Sequence, residues 1–434
     1  MANSSGKTIE RVQIVLYVFF LFLWFISPNK PTLRLISVVL LVFFLSIQVI
    51  KILKRKKIYI IKPVLYYVLF TVWSLLSVIW AQNQSTAIDR ITDVVCNSLF
   101  LVVSYDFFCE AKISKRGFVS IFVTIGILFA IYVFLYYGIG QYFSMLLAGR
   151  RVGGEIINVN FVGLVSTMTV IIILYSVLND IYKNKLVLLL LIPLIIVALG
   201  SGSKKVLIGL VIGVLMIIVL YLKGKMTWKK IATIMLFFVL LIGSFFAIRR
   251  LPYFSTVFER MDVMVETLDR ESSAEEGSTE ARKEFIGRGF HTFLSYPITG
   301  IGLNNSGIIT EDIIGREVYL HCNYVELLAC VGFVGFMLYY AIYLDIFFKT
   351  IAMNKDGVEK NYLPIVIVVT LLVVEIGCVT YYEIKTSMYF ILMIILLYKH
   401  NWETVCIHKK NNIRVPLDDD SMKSVKTTVT KERK

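Results

Sequence analysis

Long apolar runs recur along the whole chain, set apart by short polar or basic segments. Each covers roughly 17–25 residues, enough as a helix to cross about 30 Å of hydrocarbon. Within lipid every backbone N–H and C=O needs an internal partner, so such runs must be helical. An outer-membrane barrel would alternate apolar and polar residues, and these runs are continuous. The pattern predicts twelve spans at roughly 12–28, 33–53, 59–81, 87–108, 117–138, 156–178, 185–200, 205–222, 230–248, 319–347, 362–381 and 385–399. The predicted fold class is all-α, a polytopic transmembrane helical bundle of about twelve spans.

The connecting segments test this count. Those after the second, fourth, sixth, eighth and tenth spans are basic, with Lys51, Lys54, Arg55, Lys56 and Lys57 in the first of them and Lys223, Lys225, Lys229 and Lys230 in the fourth. All of these fall on one side, which the positive-inside rule makes the cytoplasm, and an even count puts both termini there. On the opposite side, 249–318 forms a long polar loop between spans nine and ten, with eight Lys or Arg against twelve Asp or Glu. It also holds Tyr, Phe and Leu, so short helices lying over the bundle are expected. The chain therefore reads as one transmembrane domain over 1–400, containing that extracytoplasmic loop, and a cytoplasmic tail, 401–434, expected to stay disordered. The first run has no small-residue cleavage site and is read as a retained span. No internal repeat of the transporter kind is evident.

Composition sharpens this picture. The 434 residues are 57% hydrophobic with a mean hydropathy of +0.76, above the roughly 45–50% of a soluble domain. The net charge of +15 would suggest nucleic acid in a soluble protein. Here it lies in short loops and reports orientation, so no nucleic-acid partner is inferred. Cys96, Cys109, Cys322, Cys330, Cys378 and Cys406 form no CxxC pair and read as packing residues. No Walker loop, dinucleotide fingerprint, HExxH or GxSxG with partners is present, so neither a nucleotide nor a catalytic metal is expected. Any chemistry must then draw on an already activated substrate.

Four groups on the predicted outer side remain as candidates. Gly149-Arg150-Arg151-Val152-Gly153-Gly154-Glu155, followed by Asn158 and Asn160, sets two arginines beside flexible glycines. Arginine donates two hydrogen bonds at once to a phosphate, and the plain alternative is snorkelling to lipid headgroups. The turn Gly200-Ser201-Gly202-Ser203-Lys204-Lys205 puts two lysines at a helix start on the side where lysines are disfavoured. An anionic ligand or headgroup contact would account for them. In the long loop, Arg282-Lys283-Glu284 and Arg288-Gly289-Phe290 precede Tyr296-Pro297-Ile298-Thr299-Gly300-Ile301-Gly302, a sharp turn. For Arg282 taken alone a solvated helix face is the simpler reading. Finally, His321-Cys322-Asn323-Tyr324 with Glu326 opens span ten, where an imidazole can exchange a proton near neutral pH or serve only as an interfacial hydrogen-bonding group.

In order and spacing these pieces resemble the O-antigen ligase and Wzy-type polysaccharide polymerase superfamily over roughly 150–340. The resemblance rests on Arg151 to Asn160, Ser201 to Lys205, Arg282 to Gly302, and His321 to Glu326 followed by Gly332-Phe333-Val334-Gly335. One departure stands out: Lys204 occupies a position where this family commonly has arginine, which keeps the charge but loses the fork. The resemblance implies a metal-independent glycosyltransferase of the bacterial cytoplasmic membrane whose donor is an undecaprenyl-diphosphate-linked glycan. Arg150, Arg151, Lys204, Lys205, Arg282 and Arg288 are then candidates to hold the diphosphate. His321 is the candidate base, with Asn323 and Glu326 holding the imidazole or a sugar hydroxyl. A flippase and a chain-length regulator are the implied protein partners. Polymerase is preferred to ligase, because richness in Lys, Ile and Asn points to a low-GC genome without lipid A core. A transporter is the rival class, with Asp93 and Glu375 as its candidate intramembrane charges.

Overall fold

The computed structural model describes residues 2–148, 150–222, 276–355, 361–399 and 402, with backbone only for 2–7 and 276–279. The described residues form helices and connecting turns with no strand. In chain order the helices are α1 (Ala2–Ile26), α2 (Pro31–Arg55), α3 (Lys62–Ser77), α4 (Gln84–Glu110), α5 (Lys115–Tyr137), α6 (Ile139–Leu147), α7 (Val159–Leu178), α8 (Leu191–Gly200) and α9 (Lys204–Leu222). After the undescribed segment come α10 (Glu276–Ser295), α11 (Ser306–Ile314), α12 (Asn323–Lys355), α13 (Leu363–Glu375) and α14 (Ile384–Tyr398).

Eight of these helices are long and apolar enough to span a membrane, and three shorter apolar helices, Lys185–Gly200, Leu363–Glu375 and Ile384–Tyr398, accompany them. They match eleven of the twelve predicted runs. The ninth, 230–248, lies outside the described residues, as do 249–275 of the long loop and nearly all of the tail. The protein is thus an all-α, multi-pass membrane protein. Packing grades from centre to edge. The spanning part of α7 is 83% buried, whereas the corresponding windows of α2 and α9 are 22% buried. Exposed Leu53, Leu135 and Ile79 lie on the outside of the bundle, where only lipid matches them.

Three features depart from the expected pattern. The short α6 lies between the fifth and sixth predicted spans, where no helix is expected; Gly138, at φ 73°, ends α5 and lets the chain turn directly into it. The seventh span opens with a 3₁₀ stretch, Lys185–Leu190, before becoming α-helical. The third departure positions the site. Span ten begins at Asn323, four residues later than predicted, and breaks at Gly332, whose φ 66° and ψ −172° belong to no helix. The break strips carbonyls of their partners inside the bundle. The segment 297–303 supplies replacements: Ile301 N–H donates to the Ala329 carbonyl (3.0 Å), Gly302 N–H to that of Cys330 (2.9 Å), and Phe333 N–H to that of Pro297 (2.8 Å). The Trp73 indole N–H donates to the Val331 carbonyl at 2.9 Å. A Cβ on Gly300 would stand 2.7 Å from the Ala329 carbonyl oxygen, so only glycine admits this approach. The Tyr-Pro-x-x-Gly-x-Gly motif is therefore a plug in a broken transmembrane helix. Its far end is fastened to the α3–α4 turn through Asn305, which accepts from Asn83 N–H (2.5 Å) and donates to the Asn83 carbonyl (3.1 Å).

At the opposite end of the bundle, the buried Lys399 ammonium donates to the carbonyls of Phe108 (2.8 Å), Cys109 (3.1 Å) and Ala111 (2.9 Å). It thereby satisfies the last turn of α4 and ties it to the end of α14.

Candidate functional site

The starts of α7, α9 and α12 and the ends of α8 and α13 meet at one end of the bundle. The loop ahead of α7 is pinned there: Val152 N–H donates to the Gly200 carbonyl at 2.8 Å, and Arg151 Nε to that of Ser201 at 3.1 Å. The aliphatic part of Arg151 lies against Gly202, where a Cβ would approach its Cγ to 2.9 Å. Ser203 Oγ donates to Asn160 Oδ1 at 2.7 Å. The two glycine-rich motifs are thus one structural unit. Lys205 reaches across to the Gly377 carbonyl at the end of α13. Arg150 is exposed, and its N–H donates to the Met145 carbonyl at the end of α6.

Beside this unit, α10 and the segment after α11 wall a cavity of about 480 Å³ whose lining includes Arg282, Phe285, Arg316 and His321. The Tyr319 ring leans on His321 with centroids 4.3 Å apart, and the Phe285 ring lies nearly parallel at 6.4 Å. His321 has φ 58°, a backbone conformation rare outside glycine. Such strain persists only where the surroundings over-determine it. Burial, then the positive charges of Arg282 and Lys205, depress the imidazole to about 4. It is therefore neutral near pH 7 and able to accept a proton. Arg282 and Arg151 both act electrostatically on Lys205, so the three cations and His321 form one coupled group. Neither Arg282 nor Arg316 forms an ion pair among the described residues.

The other predicted site residues fall elsewhere. Asn323 and Glu326 turn away from the cavity and are completely buried. Asn323 Oδ1 accepts from Thr380 N–H (2.9 Å) and Tyr381 N–H (3.3 Å), and its amide donates to the Tyr340 hydroxyl (2.9 Å). Glu326 accepts from Ser306 Oγ (2.6 Å) and from Leu320 N–H (2.8 Å). Both follow His321 in sequence; Glu326 holds the Leu320 N–H just before it, and Asn323 ties the chain just after it to Thr380 and Tyr381. Arg288 lies on α10 beyond the cavity, paired with Glu284 at 2.9 Å. Lys204 stands half-buried at the start of α9.

Both charges considered for a transport path are committed. Glu375 accepts hydroxyls from Tyr339, Tyr340, Tyr343 and Thr380. Asp93 pairs with Arg90 at 2.8 Å, and Arg90 lies 3.8 Å from the Tyr382 ring centre. Two cations escaped the sequence reading. Arg316 stands alone in a polar loop with no pattern to mark it. Lys385 lies at the head of an apolar run; it pairs with Glu383 at 2.5 Å and sits 4.4 Å from the Phe161 ring centre.

A comparison with curated proteins finds no match. Residues 186–340 match the protein family described as O-antigen ligase, a stretch that holds the Ser201–Lys205 turn, α10, the plug and His321 but begins after Arg151. The match covers less than half of the chain, and over that stretch the chain is similar to the superfamily of O-antigen ligases and Wzy-type polymerases.

Proposed function

We propose that this protein is a polysaccharide polymerase, joining glycan repeat units carried on undecaprenyl diphosphate at the outer face of the bacterial cytoplasmic membrane. The observation that carries the reading is the meeting of Arg282, Arg316 and a neutral His321 in one cavity, with Lys205 and Arg151 in electrostatic reach. In the reaction an acceptor hydroxyl oxygen bonds to the donor's anomeric carbon while that carbon's bond to the diphosphate oxygen breaks. The hydroxyl proton passes to His321, and the negative charge gathering on the departing lipid diphosphate is met by the cations. Those same charges weaken the imidazole as a base until an anion arrives. Donor binding offsets the part of the depression that comes from Arg282 and Lys205, while the part from burial stays, so the base strengthens when the substrate is in place.

Orientation follows from charge. The site lies at the end opposite the basic connections after α2, α4 and α7, which supports an external site with both termini cytoplasmic. A flippase would then deliver the donor, and a chain-length regulator would act on the product. The family's description favours a second reading, transfer of a finished glycan to a separate acceptor such as lipid A core. Purified protein given only lipid-linked repeat units distinguishes the two: a polymerase yields a ladder of longer products, a ligase none until the second acceptor is added. His321→Ala, inserted normally, is expected to lower the rate by about 10²–10⁴. Full synthesis by that variant would remove His321 from the mechanism.

A further inference from the structure

A second cavity of about 440 Å³ opens along the same side of α10, toward its C-terminal end. Arg288, His291 and Ser295 line it from α10, Asp312 from α11 and Gln82 from the α3–α4 turn, together with Tyr296 just past the end of α10. Residues 282 and 292 are separated along the helix axis by about 15 Å, so the two cavities are successive stations along α10.

Their chemistry differs. The His321 cavity presents two arginines that have no ion-pair partner among the described residues. In the second cavity Arg288 is already held by Glu284, and the Asp312 carboxylate adds negative charge. A phosphate or an anionic lipid headgroup would meet repulsion there. What remains is a carboxylate, an amide, an imidazole and a hydroxyl, in a lining that also includes Ile301 and Ile309. Gln82, His291, Tyr296 and Asp312 make no side-chain hydrogen bond to another described residue, and Tyr296 is 48% exposed. An array of uncommitted acceptors and donors beside an open aromatic ring matches a sugar, whose hydroxyls take hydrogen bonds and whose C–H face packs on a ring.

We infer that this groove is a saccharide subsite, holding the acceptor glycan a few sugars away from the hydroxyl that reacts at His321. This rests on the glycosyl-transfer reading and adds where the acceptor chain runs. Without such a subsite, only the terminal sugar would be gripped. With it, the chain is laid along α10 and its end is delivered to the base, converting a loose encounter into an oriented one.

The test is direct binding, independent of turnover. The probe is the free oligosaccharide released by mild acid from the source cell's lipid-linked glycans, followed by saturation-transfer NMR on the detergent-purified full chain. It is expected to bind the wild-type protein and to bind about tenfold more weakly to Asp312→Asn and to Tyr296→Ala, each losing one direct contact. Arg282→Ala should keep oligosaccharide binding while losing turnover of the lipid-linked donor. Absence of binding to the wild type, equal binding by wild type and both groove variants, or loss confined to Arg282→Ala would each overturn the inference. Failure of the broader reading looks different, because the wild type would then make no longer product from lipid-linked units whether or not the oligosaccharide binds. Both groove side chains are exposed, and matching melting curves separate lost binding from lost folding.

Discussion

Replacing Gly332 with alanine tests the broken helix most sharply. Its φ of 66° with ψ −172° lies in a region reserved to glycine, and forcing a side chain there costs roughly 1–3 kcal/mol. The new Cβ would also stand 2.7 Å from Gly300 N and well inside contact with the Ile298 carbonyl. The plug cannot stay seated, so the bonds from Phe333 to Pro297 and from Ile301 to Ala329 are strained or lost, at about 1 kcal/mol each. The total is about 4 kcal/mol. Two further glycines calibrate this figure. Gly315, at φ 69°, has open space around its Cβ position, so alanine there meets strain alone and costs about 1 kcal/mol. Gly287, helical and open, should gain roughly 0.5–1 kcal/mol from alanine. Melting in detergent should rank the variants in that order. Tryptophan fluorescence adds a local readout, because the Trp73 indole donates to the Val331 carbonyl beside the break and the Trp80 indole to the Thr299 carbonyl within the plug. If Gly332→Ala melts and fluoresces like Gly315→Ala, the break is not held by the plug and the account of the motif is wrong.

Three further outcomes follow from the same structure. Arg282→Gln removes one of the two charges that depress His321, so the imidazole's pKa rises and the acid limb of kcat/KM moves to higher pH; an unmoved limb, or one shifted to lower pH, contradicts the coupling. Lys399→Met strands three carbonyls at the end of α4 and should cost roughly 1–3 kcal/mol in thermal stability without changing KM, whereas a raised KM would place Lys399 in the site's reach. Glu326→Ala frees the backbone beside His321 and should lower kcat more than it raises KM for the lipid-linked donor; the reverse split would mean that Glu326 touches substrate.

The apolar runs were legible because lipid imposes length and continuity on a helix, and that constraint is local. Arg282 and His321 were legible through motif order alone, since nothing local separates Arg282 from a solvated face. The break at Gly332 was not. Its neighbours Phe333, Val334 and Gly335 continue an apolar run, and the segment that repairs the lost hydrogen bonds lies some thirty residues earlier in the chain. Asn323 and Glu326 show the reverse failure. They were grouped with His321 because they follow it closely, yet the helix begins between them and the histidine. Positions three apart on a helix share a face, and here that face points into the core, so chain proximity to His321 is no guide to where these side chains lie.

That inward turn bears on how a cationic mouth survives. Two buried carboxylates, Glu326 five residues after His321 and Glu375 at the end of α13, could have paired with Arg282 or Lys205 and cancelled them. Instead each is buried and saturated by neutral donors: hydroxyls around Glu375, and a hydroxyl and a backbone N–H on Glu326. Arg55, Arg90, Arg288 and Lys385, elsewhere in the protein, do have ion-pair partners. Arg282 and Arg316 have none among the described residues. Cations left uncompensated around a cavity repel one another and depress the nearest base, a standing cost in the empty state. An arrangement that keeps acid groups close by but occupied elsewhere retains that cost, and the proposed diphosphate donor, an anion with more than one charge, would relieve it.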